Sequence, residues 1–155
     1  MRTSMVLQGA FAVATTLLAY NSSIAADNCT GYDVLVTQSA ETSDLGKGHA
    51  VTVVSQSSLL ITEDTPIYNL VSGTCQGSLL TTPDGKTRGS GHCARRDKDG
   101  DTVSIEWSQA PGAQRSMWKL TGGTGKFAGK TGTGWGEGVR SDGKIYVVKW
   151  GGNCN

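Results

Sequence analysis

The chain has 155 residues, 37% of them hydrophobic, with 22 glycines and 3 prolines, a size that one domain fills. Its formal net charge is +1, and without Arg2 the basic residues balance the 13 acidic ones. With no basic cluster beyond Arg95-Arg96, this balance argues against nucleic acid or an anionic membrane surface as partner, since both select a basic excess.

The first 26 residues read as a targeting segment. Arg2 is the only charge before Asp27, 5–18 is mostly apolar, and Ser23-Ile24-Ala25-Ala26 offers small residues for cleavage. That pattern is a secretory signal peptide. The apolar run is shorter than the ~20 residues a membrane span needs, and no later segment could cross as a helix. The expected organisation is a signal peptide at 1–26 and one domain at 27–155, secreted or periplasmic, with no membrane partner after cleavage.

Cys29, Cys75, Cys93 and Cys154 all follow the leader. An even count in an exported chain predicts two disulfides. No C-x-x-C pair is present and the two histidines are not spaced as ligands, so no zinc site is expected.

In chain order, 32–38 (YDVLVTQ) reads as a first strand, 45–48 as a glycine loop and 51–61 as a second strand. Pro66 cannot donate to a ladder, so 63–66 breaks the pattern. The stretch 67–80 reads as a third strand, bent at Gly73 or Gly77. Thr82-Pro83-Asp84-Gly85-Lys86 is the signature of a three-residue hairpin loop with a glycine bulge. A loop over 83–85 puts Cys75 directly opposite Cys93, on a non-hydrogen-bonded pair where Cα atoms approach to ~4.5 Å. That geometry suits a disulfide and leaves Cys29 with Cys154 to join the chain ends.

The fourth strand is 88–96, and 97–101 (DKDGD) is a turn. The fifth, 102–108, alternates, with Val103, Ile105 and Trp107 on one face. A turn centred on Pro111-Gly112 leads to the sixth strand, 115–121, with Val103 facing Leu120 and Ile105 facing Trp118. The segment 120–139 (LTGGTGKFAGKTGTGWGEGV) organises the rest. It is a tight glycine turn at 122–129 feeding a seventh strand, 131–139, with Gly132, Gly134, Gly136 and Gly138 on one bare face. After Ser141-Asp142-Gly143, the last strand is 144–150 (KIYVVKW). This turn predicts Gly138 opposite Tyr146, Gly136 opposite Val148 and Gly134 opposite Trp150, so bulky rings cover glycine backbone. Eight short strands with turn residues between them predict an all-β, eight-stranded antiparallel barrel.

The run Gly122-Gly123-Thr124-Gly125-Lys126-Phe127-Ala128-Gly129, followed by x-x-G, resembles the glycine turn of dirigent proteins and allene oxide cyclases. It is also similar to a set of small exported bacterial proteins with the same barrel. In those, a Cys, a D-x-D-G-D turn and a strand ending in Trp-Ser come first; Cys93, 97–101 and Trp107-Ser108 match that order. The resemblance covers 91–139 and implies an eight-stranded barrel with a central cavity. No carboxylate or tyrosine here aligns with those of the plant cyclases or dirigent proteins, so no catalytic residue is carried over.

Other motifs have bland readings. Gly129-Lys130-Thr131 fails as a phosphate loop because position 124 is Thr124 and no helix follows; Gly123-Thr124-Gly125 lacks the βαβ setting of a dinucleotide fingerprint. An EF-hand starting at Asp97 would need Gly at 102 and Glu at 108, where Thr102 and Ser108 stand. Asp97, Asp99 and Asp101 therefore read as a solvated hairpin tip. His49 and His92 lack a nucleophile or carboxylate that can be placed beside them. No cofactor and no metal are expected.

Trp107, Trp118, Tyr146 and Trp150, with Gly134 and Gly136, are the candidates for lining an interior cavity. The expected function is non-enzymatic binding of a small apolar ligand inside the barrel. The alternatives are a cyclase- or isomerase-like or dirigent-like activity in that cavity, and a secreted interaction or inhibitor module acting through the tips at Pro83 or Pro111. The cyclase reading requires a carboxylate or tyrosine facing an apolar pocket, and Glu106 and Glu137 both read as solvent-facing.

Overall fold

The computed structural model describes residues 28–62 and 64–155; the signal peptide expected at 1–26 lies outside them. Eight antiparallel strands pair in sequence order and close into a barrel: β1 Cys29–Gly46, β2 His49–Thr62, β3 Ser72–Thr81, β4 Thr87–Arg96, β5 Thr102–Gln109, β6 Arg115–Gly123, β7 Gly132–Asp142 and β8 Ile145–Cys154. Closure leaves β1 hydrogen-bonded to both β2 and β8. No helix among the described residues is long and apolar enough to cross a membrane.

Turn chemistry sets the local geometry. In the β3–β4 hairpin Gly85 has φ +77°, and the Thr82 N–H donates to the Lys86 carbonyl at 2.9 Å. Only glycine adopts that φ without strain. Cys75 consequently lies opposite Cys93, and their disulfide has a Cα separation of 4.0 Å. A second disulfide, Cys29–Cys154, fastens β1 to β8 where the barrel closes.

Several sequence expectations are corrected. The first strand runs past 38 to Gly46, and the chain turns at the expected loop, with Gly46, Lys47 and Gly48 all at positive φ. The stretch 67–71 is not strand. Pro66–Tyr68 forms a 3-10 turn, and Leu70 is left-handed at φ +58°. This turn carries Tyr68 beneath the barrel. In the β5–β6 hairpin Ile105 faces Leu120 and Trp107 faces Trp118, two residues from the register expected of a turn centred on Pro111-Gly112. The tight turn does centre there, spanning 110–113 and closed by the Ala113 N–H on the Ala110 carbonyl, but β6 begins only at Arg115, and the extra residues on that side of the turn move the register. In β7–β8 Gly134 faces Gly152, Gly136 faces Trp150 and Gly138 faces Val148. The strands run on to Asp142 and Ile145, so the turn lies at Gly143-Lys144 rather than over Ser141-Asp142-Gly143, and a one-residue bulge between Gly138 and Arg140 takes back one step to leave a net shift of two. Between the bulges both shifts are even, so Ile105, Trp107, Trp118, Trp150 and the glycines at 134, 136 and 138 keep their faces.

The glycine turn closes one end of the barrel. Gly125–Phe127 is a 3-10 turn that inserts Phe127, which is fully buried. Phe127 stacks on Tyr68 with ring centroids 5.6 Å apart, over a core of Val71, Val103 and Leu120.

Candidate functional site

Alternation on each strand decides what looks inward. On β1 the inward residues are Asp33 and Leu35, each 8% exposed, while Tyr32 and Val36 face out. On β4, Cys93 and Arg95 are buried and His92, Ala94 and Arg96 exposed. Arg95 thus shares the inner face of the disulfide cysteine two residues before it.

Arg95, Asp33 and Ser58 form a buried polar network. Arg95 Nη2 donates to Asp33 Oδ2 at 2.5 Å, and Arg95 Nε donates to Ser58 Oγ at 2.7 Å. The Ser58 hydroxyl donates to Asp33 Oδ1 at 2.6 Å. Arg95 Nη2 also lies 3.3 Å from Cys75 Sγ. The three residues come from β4, β1 and β2, so the guanidinium must cross β3. Gly73 makes the crossing open: it pairs with Ser58 on one side and Arg95 on the other. A Cβ there would run into the Ala94 carbonyl and lie 2.7 Å from the Arg95 Cα. A buried charge is tolerated when paired and hydrogen-bonded, and this pair is both.

The network separates two cavities. The larger, about 300 Å³, is lined by Leu35, Gln56, Ile105, Trp107, Trp118, Tyr146 and Val148 among others, with Asp33 and Arg95 at its floor. The smaller, about 60 Å³, lies between the pair and the Tyr68 end, against Leu60, Val103, Leu120 and Trp150.

The bare faces are occupied by rings. A Cβ at Gly134 or Gly152 would strike the Trp118 indole, one at Gly91 would lie 2.8 Å from Trp107, and one at Gly138 would strike the Tyr146 phenol. Trp118 is oriented by its indole N–H, which donates to the Trp135 carbonyl at 3.1 Å. It meets Trp150 edge to face, centroids 6.1 Å apart. So the ring over Gly134 comes from β6, not from Trp150 of the last strand, because of the two-residue shift in β7–β8.

Of the residues singled out in the sequence, Trp107, Trp118, Tyr146 and Gly136 line the larger cavity. Trp150 and Trp118 line the smaller one. Gly134 is buried beneath Trp118 and lines neither. Asp33, Ser58 and Arg95 were missed. In YDVLVTQ the apolar set is Tyr32, Val34 and Val36, which suggests that Asp33 faces out. The signal that could have found Arg95 is its i+2 spacing from Cys93.

The other polar clusters are surface structures. His92 is exposed opposite Glu106 on the outer face. At the 97–101 turn, the Lys126 ammonium reaches the Asp97 and Asp99 carboxylates, and the Asp101 carboxylate accepts the Lys126 backbone N–H at 3.0 Å. The lysine takes the place among the carboxylates that a cation would need. Its hydrogen bond holds the Asp97 carboxyl below the usual range, and Asp97 in turn raises the Lys126 ammonium.

No family model matches the sequence, and no curated protein matches it. Solved structures match the barrel. An enzyme from Penicillium herquei superposes with a TM-score of 0.59 at 15% identity, over 82% of this chain and 95% of that one. A pterocarpan synthase dirigent protein gives 0.50 at 18% identity, over 94% and 96%. The protein has a dirigent-like barrel fold. A protein with unknown function from the DUF3224 family of Shewanella oneidensis shares this dirigent-like fold, with a TM-score of 0.53 at 14% identity, over 82% and 95%. At these identities the likeness concerns the fold, and the dirigent-like barrel itself assigns no chemistry.

Proposed function

We propose that this protein is an exported carrier or receptor that binds a small, mainly apolar molecule in the larger cavity of its barrel. The observation behind this reading is the cavity of about 300 Å³, walled by Trp107, Trp118, Leu35 and Val148 and floored by one paired polar group. Ligand sites are typically apolar with a few fixed polar groups, and this volume suits a molecule of one or two rings. Trp107 and Trp118 offer flat faces, and Gln56, Gln109 and Ser116 offer hydrogen bonds along the wall. The two disulfides fit an oxidising compartment, and the leader-like segment at 1–26 supports export.

Binding without turnover is favoured because both Asp33 oxygens already accept hydrogen bonds, from Ser58 and Arg95. A general base must reach the proton it removes, and this carboxylate is held against Ser58 and Arg95. The test is native mass spectrometry of the protein purified from its own host. A retained small molecule, lost when Ser116→Phe fills the cavity, supports the reading. An empty barrel that also fails to bind apolar fluorescent probes overturns it.

One observation keeps a cyclase- or isomerase-like activity as the second reading. A carboxylate and a phenol, Asp33 and Tyr146, do face the same apolar cavity. That reading requires that a ligand identified in the first experiment be converted by the protein, and that Asp33→Asn abolish conversion while binding persists.

A further inference from the structure

The smaller cavity gathers buried polar atoms without partners. The Tyr68 hydroxyl and the Trp150 indole N–H are buried and make no hydrogen bond among the described residues. Tyr68 is 4% exposed and Trp150 7%, and both line the cavity of about 60 Å³. Leaving such a group unsatisfied costs about 1–3 kcal/mol, so two in one cavity require a physical account. Trp150 can only donate, and it needs an acceptor. Asp33 supplies acceptor capacity, since each of its oxygens accepts one of the network's hydrogen bonds and has a further lone pair.

We propose that this inner cavity is a permanent water site, in which one or two ordered waters bridge Tyr68 Oη, Trp150 Nε1 and the inner side of the Asp33–Arg95 pair. A water needs about 10–15 Å³ of such space and two to four polar partners, and the cavity meets both conditions. A purely apolar cavity stays dry; here Tyr68, Trp150, Asp33 and Arg95 share the lining with Leu60, Val103 and Leu120. Most of the lining residues are buried, with Ile105, Trp118 and Cys154 half-buried, so a water held there by several polar groups exchanges slowly. Burial raises the Tyr68 phenol above its ordinary value of 10.0, so it keeps its proton and can donate throughout the physiological range. The arrangement has a consequence for the proposed ligand site, and the water site stands whether or not that reading does. The Asp33–Arg95 pair is hydrated from behind, so an apolar molecule could empty the larger cavity of solvent without stranding the ion pair.

The test uses the protein as its host produces it. Oxygen-17 magnetic relaxation dispersion should show a long-lived internal water, and a crystal structure should show density within hydrogen-bond distance of Tyr68 Oη and Trp150 Nε1. Tyr68→Phe should remove one water position and lower Tm by roughly 3 °C, the size of one lost hydrogen bond in a chain this long. A dry cavity with no long-lived water overturns the proposal. A rise in Tm on Tyr68→Phe also overturns it, because deleting an orphaned buried hydroxyl removes a penalty. If that variant does not fold, the relaxation measurement on the wild-type protein decides alone.

Discussion

Arg95 is charged, almost fully buried and anchored to two strands it does not neighbour. Its position depends on Asp33 for charge and on Gly73 for passage. Removing one partner of a buried pair strands the other, a loss of about 3–5 kcal/mol. Asp33→Asn and Arg95→Met should each lower the urea-derived stability by that order, while Asp33→Leu combined with Arg95→Met should recover most of it. A double variant no more stable than the singles would show that the network does not act as a unit. Glycine positions offer a second contrast. Gly134→Ala places a methyl inside the Trp118 ring and the Gly151 carbonyl, whereas a Cβ at Gly122 meets nothing within 4 Å. Overpacking costs about 1–3 kcal/mol, so the first variant should lose that much and the second almost nothing, read as denaturation midpoints.

Hairpins and their fastenings set the next scale. The Cys29–Cys154 disulfide spans 125 residues and Cys75–Cys93 spans 18. In the chain-entropy account the longer loop gives about 4–5 kcal/mol and the shorter about 3. Paired Cys→Ser replacement of 29 and 154 should therefore cost more than replacement of 75 and 93, measured by urea unfolding of each. The 97–101 hairpin tip is bound to the glycine turn by Lys126, which gives a pH signature. Asp97 has a lowered carboxyl value, so its contribution is present above the unfolded value near 4 and is lost as pH falls through the folded one. Lys126 is raised, so its contribution is present below about 10 and is lost as pH rises through the folded value. Lys126→Met should flatten both limbs of a stability–pH curve. A curve unchanged in shape would show that this link contributes nothing to folding.

At the scale of the whole molecule, closure makes the interior. One end is sealed by Phe127 and Tyr68, the middle is crossed by the Arg95 network, and the remaining space is a chamber with aromatic walls. Indoles pack close against glycine backbone, so the chamber keeps volume although large rings line it. A ligand that binds only the closed barrel stabilises it by mass action. An apolar aromatic probe at about 100 times its Kd should add about 2.7 kcal/mol, seen as a rise in Tm. Ser116→Phe should abolish that rise without unfolding the protein.

The sequence by itself determined the strand count, the all-β class and the pairing of the cysteines, because these rest on period-two alternation and on turns a few residues long. It also placed Trp107, Trp118 and Tyr146 on the inner face, since registers two residues off leave faces unchanged. The tertiary structure alone decided which ring lies over which glycine, how the cavity is divided, and that Asp33, Ser58 and Arg95 meet. Those contacts join positions far apart in the chain across a closed sheet. Their geometry depends on bulges, on the exact length of the 110–113 turn and on a bare Gly73, and none of these leaves a periodic trace in the residues around it.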